Sequence, residues 1–300
     1  MIIPSFLQKG DTIGIVSIAS KIDKEVVDPA IVLLLSLGYR VKIAEHTFAK
    51  FYQYSSTDEN RAADLQSMLD DQDIKAIFCS RGGYGTIRTL ELIDFQKFIQ
   101  HPKWIVGFSD ITVLHSKLNI LGFASVHGVM PRYFLSEGKP SPSFNSMLDA
   151  ITGVPLNYYF PSHPLSQKGN VTGQLVGGNL SMLYSVRGTP YDMNMAGKIL
   201  FIEDLGEYLY HLDRMMMNLK TSGILKNLSG LMVGNFTGMK EQDEPFGKNV
   251  EEIILDAVKE YNYPVAFQFP AGHAPDNFAL KLGLDISIEI TDSETFVHQN

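Results

Sequence analysis

Short apolar, β-branched runs alternate along the first half of the chain with longer segments whose apolar positions recur every three or four residues. The runs at 12–20, 39–44, 74–79, 104–106 and 123–126 read as buried strands. The segments at 23–37, from Thr57 or Asp58 to 71, through Leu90 and Ile93, and after Ser109 with Ile111, Leu114, Leu118 and Leu121 carry the spacing of helices. Residues 51–57 form a polar, aromatic loop. Strand followed by helix, repeated, predicts βαβ units, a parallel sheet and right-handed crossovers. Ligands of such sheets bind beyond the carboxyl ends of the strands.

The pattern breaks at 139–169, where Pro140, Pro142, Pro155, Pro161 and Pro164 interrupt it. A short helix at 144–151 and then an extended linker are expected there. Alternation resumes with strands at 171–176, 198–202, 228–234 and 264–269. Helices are expected through Leu183 and Val186, at 209–225 and at 250–261. The run Met215, Met216, Met217 reads as core filling. Near the end, Leu284, Ile286, Ile288 and Ile290 alternate as a half-buried antiparallel strand does. The expected organisation is therefore an α/β domain at 1–155, a linker at 156–169 and a second α/β domain at 170–300.

Composition narrows the function classes. The chain has 300 residues, 45% of them apolar, and a formal net charge of −8 with no block of Lys or Arg. Nucleic acid and anionic membrane surfaces are poor partners for such a chain. The single cysteine, Cys79, lies in an apolar run and reads as a small buried hydrophobe. No zinc-ligand spacing is present, so no metal or cofactor is expected. With no signal-peptide pattern and no apolar stretch of membrane length, the expected location is cytoplasmic.

The candidate chemistry lies at strand ends. In Trp104-Ile105-Val106-Gly107-Phe108-Ser109-Asp110 an apolar strand turns into a helix, the setting of a nucleophile elbow, although the closing glycine of G-x-S-x-G is missing. Capping of an ordinary helix by Ser109 and Asp110 is the alternative. Gly82-Gly83, in Ser80-Arg81-Gly82-Gly83-Tyr84-Gly85, either exposes backbone amides as oxyanion donors or makes a tight turn. A serine nucleophile needs a base and an orienting acceptor. His115 falls within the next helix and is expected on its surface or flank. His127 ends a strand, and His273 sits on a Gly- and Pro-bounded loop at a strand end, the better placement. Glu203 ends an apolar strand, where a carboxylate is costly unless paired.

Taken together, Gly10-Asp11, Ser80-Arg81-Gly82-Gly83-Tyr84-Gly85, Gly107-Phe108-Ser109-Asp110, Gly177-Gly178-Asn179-Leu180, Ile202-Glu203-Asp204, Asp213-Arg214 and Gly272-His273 with Asn277 resemble the serine LD-carboxypeptidase family. That family includes muramoyl-tetrapeptide carboxypeptidases and microcin-immunity hydrolases. The resemblance implies a Ser109–His273–Glu203 triad and an oxyanion hole from the amides of Gly83 and Asp110, with Arg81 and Asn179 as substrate contacts. It implies an N-terminal domain similar to class I glutamine amidotransferases, a C-terminal domain with a small β-barrel-like core, and a homodimer. The implied reaction releases terminal D-alanine from murein tetrapeptides. The alternatives are hydrolysis of aminoacyl-nucleotide conjugates and non-catalytic muropeptide binding. Val129 and Lys281 stand where proline is common in the family, which bears on substrate choice.

Overall fold

A computed structural model describes all 300 residues, which divide into two compact units: Met1–Val154 with Phe278–Leu282, and Pro155–Asn277 with Gly283–Asn300. No helix is long and apolar enough to cross a membrane.

The first unit is built on β1 (Thr12–Val16), β2 (Arg40–Ile43), β3 (Ile74–Cys79), β4 (Trp104–Gly107) and β5 (Ser125–His127), all mutually parallel where they pair. A sixth strand, Leu280–Leu282, returns from the far end of the sequence and pairs antiparallel to β5. Every residue of β1 and β4 is buried, as both-face coverage of a parallel sheet requires. The order β5-β4-β3-β1-β2 reverses between β3 and β1, so the loops after these two strands open a crevice at the carboxyl edge. The helices are fixed locally. Thr57 Oγ1 accepts from Asn60 N–H at the start of helix Asp58–Asp70. At its end, buried Lys103 donates to the carbonyls of Met68, Leu69 and Asp71 at 3.0, 2.8 and 2.5 Å. A small hairpin, β6 (Leu135–Ser136) with β7 (Lys139–Pro140), precedes helix Pro142–Thr152.

The second unit holds a seven-stranded sheet of β8 (Leu156–Pro161), β9 (Gly169–Asn179), β10 (Ile199–Leu205), β11 (Gly230–Thr237), β12 (Val265–Ala266) and, after the returning strand β13 (Leu280–Leu282), β14 (Asp285–Ile290) and β15 (Glu294–Gln299). Its order is β12-β11-β10-β9-β14-β15-β8, parallel on one side of β9 and antiparallel on the other. Gln167 and Val265 exchange backbone hydrogen bonds at 3.0 Å each, linking edge strand β12 to the segment that leads into β9. The strand order of the sheet is that of an open sheet. Met215 and Met216 are buried in the core of this unit; Met217 is exposed.

The expected linker is corrected here. Leu156, Tyr158 and Phe160 alternate inward with exposed residues between them, which makes 156–161 an edge strand. Pro155 precedes it and Pro161 ends it without cost because an edge strand leaves one row of donors unpaired.

Candidate active site

Ser109 sits where β4 ends. Phe108 is still extended, then Ser109 takes φ +64° and a short 3-10 turn, Ser109–Ile111, leads into helix Thr112–Leu121. A serine at positive φ costs roughly 1–2 kcal/mol. Such strain persists where the surroundings over-determine it, as at active sites. Helix capping alone would not need it, since a capping serine has extended backbone.

The loop after β3 lies against this turn. A Cβ added to Gly82 would stand 2.9 Å from Ser109 Cβ, 3.1 Å from its Oγ and 3.4 Å from Asp110 N, so glycine is required by space alone. Gly83 is exposed at φ +110°, and a Cβ there would meet Ser20 Oγ at 2.0 Å. Asp110 is almost wholly buried, and its Oδ2 accepts from Thr86 N–H at 2.8 Å. Burial raises the Asp110 carboxyl above its ordinary range, against hydrogen bonds from Thr86 and Gly85 and the charge of Arg61. Arg81 donates from Nη1 to the carbonyl of Lys21 at 2.9 Å.

In the second unit, β10 carries two successive acids. Glu203 is fully buried, and His273 Nδ1 lies 2.7 Å from its Oε2. An ionised carboxylate only accepts, so the proton belongs on Nδ1 and Nε2 becomes the basic nitrogen. Glu203 Oε1 has no protein hydrogen-bond partner. The loop that brings His273 here depends on Gly272, whose φ is +118° and whose added Cβ would lie 2.8 Å from Glu203 Oε2. Asn277 Oδ1 fixes that loop by accepting from Gly272 N–H at 2.9 Å.

Successive strand residues point to opposite faces, so Asp204 serves the other side. Its carboxylate accepts from Asn179 Nδ2 at 2.9 Å, Ser181 N–H at 2.8 Å and Leu205 N–H at 2.9 Å. Burial pushes its pKa up to about 6. Asn179 is buried and caps helix Leu180–Ser185, its Oδ1 accepting from Met182 N–H at 3.2 Å. Asp204 is the residue that sequence reasoning left without a role. Its signal was the pairing of two acids at the end of an apolar strand.

The other histidines separate clearly. His115 is a correction: it is fully buried, not on the helix surface. Its Nε2 lies 2.9 Å from the Gly107 carbonyl and its Nδ1 2.8 Å from Ser125 Oγ. The carbonyl can only accept, so Nε2 carries the proton and the serine donates to Nδ1. Burial pushes its pKa down to about 4. It ties the end of β4 to β5, and its face of the helix points at the sheet. His127 is also fully buried, its ring 5.8 Å from that of Phe108. His273 has an orienting, fully buried carboxylate at hydrogen-bond distance, as a catalytic imidazole needs; His46 beside Asp64 and His211 beside Glu207 are also paired with carboxylates.

The first unit thus carries a strained serine between strand and helix, and the second a histidine oriented by a buried carboxylate, each on an α/β framework. Comparison with known proteins gives the family. Residues 13–128 match the LD-carboxypeptidase N-terminal domain and residues 172–288 the LD-carboxypeptidase C-terminal domain. The chain belongs to this family and is a serine-type carboxypeptidase. It is 32% identical over 298 residues to the probable murein peptide carboxypeptidase of Bacillus subtilis (strain 168), covering 98% of this chain and 93% of that one. The crystal structure of muramoyltetrapeptide carboxypeptidase from Oxalobacter formigenes superimposes with a TM-score of 0.87 at 29% identity, covering 96% of this chain and 98% of that one. The microcin C7 self immunity protein MccF, in complex with aspartyl sulfamoyl adenosine, gives a TM-score of 0.87 at 20% identity over 100% of this chain and 99% of that one, and shares the fold.

Proposed function

We propose that this enzyme is an LD-carboxypeptidase that removes the terminal D-alanine of murein tetrapeptides, with Ser109 as nucleophile, His273 as base and Glu203 as the orienting carboxylate. The observation that carries the proposal is the 2.7 Å bond between His273 Nδ1 and the buried Glu203 carboxylate, in a chain of this family. Ser109 Oγ adds to the carbonyl carbon before D-alanine as its proton passes to His273 Nε2. That proton then leaves with the D-alanine nitrogen as the C–N bond breaks. Water repeats the sequence on the acyl-enzyme, and Ser109 is regenerated. The amides of Gly83 and Asp110 supply the donors for the oxyanion. Arg81, on the same loop, faces the substrate's terminal carboxylate; Asn179, expected as a further contact, is instead buried, with its side chain committed to Asp204 and to the helix it caps. The reading includes a cytoplasmic homodimer acting on peptides from wall turnover.

Stereochemistry tests it. Exchanging the terminal D-alanine for L-alanine swaps methyl and hydrogen and moves the carboxylate from its donors, a loss of about 1–3 kcal/mol or more. The D-epimer of L-Ala-γ-D-Glu-meso-diaminopimelate-Ala should be hydrolysed roughly tenfold to several hundredfold faster, and amidation of the terminal carboxylate should hurt comparably. Equal turnover of both epimers removes the assignment. Turnover of neither, with rapid cleavage of an aminoacyl sulfamoyl adenosine, redirects it to nucleotide conjugates.

A further inference from the structure

Asp110 carries more than an amide. The loop after β3 has little side-chain means of holding itself in place: it consists of Ser80, Arg81, Gly82, Gly83, exposed Tyr84 and Gly85. Its first half is held by Ser20 N–H donating to the Gly82 carbonyl at 3.2 Å and by Arg81 reaching Lys21. Its second half ends at Thr86, whose N–H donates to Asp110 Oδ2. Beneath Gly85 lies Arg61, fully buried, donating from Nη1 to the Ile18 carbonyl at 2.7 Å and paired with Asp58. A Cβ on Gly85 would come within 2.2 Å of that guanidinium, so the loop is seated hard against it.

The Asp110 carboxylate takes hydrogen bonds from both Thr86 and Gly85, yet a buried carboxylate is an expensive way to hold a loop, because a neutral side chain accepts without desolvating a charge. The position of this one is what distinguishes it. It belongs to the residue immediately after Ser109, so any movement of the loop relative to the nucleophile must stretch the bond to Thr86. We infer that the Asp110 side chain is a positioning residue, tying the Gly82–Gly85 loop to the turn that carries Ser109 so that the amides of Gly83 and Asp110 converge on one oxyanion. This rests on the reading of Ser109 as nucleophile. One residue thus contributes a donor through its backbone and sets the other donor through its side chain.

The test is Asp110→Asn in the full-length protein, which turns one carboxylate oxygen into a donor facing the loop amides. D-Alanine release from the tetrapeptide should show kcat down about tenfold to a hundredfold with KM within about threefold. Amide hydrogen exchange should quicken at least about tenfold in peptides covering 82–86 and stay unchanged in helix Thr112–Leu121. Should Asp110→Asn not fold, Asp110→Ser keeps an acceptor without added bulk and is read by the same two measurements. A kcat within twofold of wild type, or exchange that quickens evenly across the first unit, overturns the inference. Wild-type turnover by Ser109→Ala removes the nucleophile reading on which it rests. An inactive Ser109→Ala beside a fully active Asp110→Asn overturns the positioning role alone.

Discussion

Replacing Gly82 by alanine adds a single methyl group at a known place. The new carbon would stand 2.9 Å from Ser109 Cβ and 3.1 Å from its Oγ. Carbon atoms in contact settle at about 3.5–4.0 Å, so roughly 0.6 Å or more of overlap must be relieved. Gly82 is not among the positive-φ glycines, and the backbone itself accepts alanine without strain. Ser109 cannot yield easily, being fixed by its turn at the head of a buried helix, and the relief falls on the loop. Overpacking of this kind costs about 1–3 kcal/mol. In a protein of this size that is a fall of about 2–10 °C in Tm, with the cooperative transition kept. The catalytic effect should be larger. Removal of a whole oxyanion donor costs about 100-fold to 1,000-fold in kcat, and a donor displaced by about half an ångström should cost about 10-fold to 100-fold. KM should move little, because the ground-state substrate carries no oxyanion. The assay is D-alanine release coupled to D-amino-acid oxidase, with melting followed by circular dichroism. A Gly82→Ala protein that melts normally and keeps kcat within threefold would show that the loop has no part in transition-state stabilisation.

Gly272→Ala probes the other unit: it combines φ +118° with a Cβ only 2.8 Å from Glu203 Oε2. It should cost about 2–5 kcal/mol in urea unfolding and lower kcat more than Gly82→Ala does, and wild-type activity would mean that this loop does not set the Glu203–His273 bond. His115, held at about 4 by burial, binds fewer protons folded than unfolded, so its contribution is complete above about pH 6.5 and drains away as pH falls toward 4. Acidification from pH 7 to 4.5 should remove about 2.5 kcal/mol through this group, so the stability gap between wild type and His115→Gln should narrow by that amount. An unchanged gap would assign acid sensitivity to other groups.

Much of the first unit was legible because its signals are local. Ile74–Cys79 forms the strand that its apolar run predicts, and Thr57 caps the helix that its position before an acidic turn predicts. Glu203 and His273 were legible for a different reason: polar residues at the ends of apolar strands need an explanation, and each explains the other. What escaped depended on long-range pairing. Leu280–Leu282 is too short to carry a period and becomes a strand only because β5 offers an edge. Leu156–Pro161 was hidden by its flanking prolines, which mark linkers and edge strands alike. His115 was misplaced because helical spacing gives a face but not its neighbours, and Ser125 and the Gly107 carbonyl lie on other elements. The tether from Asp110 to Thr86 is invisible in sequence for the same reason.

The return of β13 to the first sheet bears on how the protein is made. A ribosome delivers the chain from its amino end at about 5–20 residues per second, and early domains usually fold before later ones exist. Here the strand that covers the outer edge of β5 is still unsynthesised when Val154 emerges. The first unit must wait roughly 6–25 s with the edge of β5 bare, an interval in which it can pair with another nascent chain. Completion of the sheet that bears Ser109 is therefore deferred until nearly all of the second unit has been translated. The sheet that bears Ser109 is thus closed only after Glu203 and His273 have themselves been made.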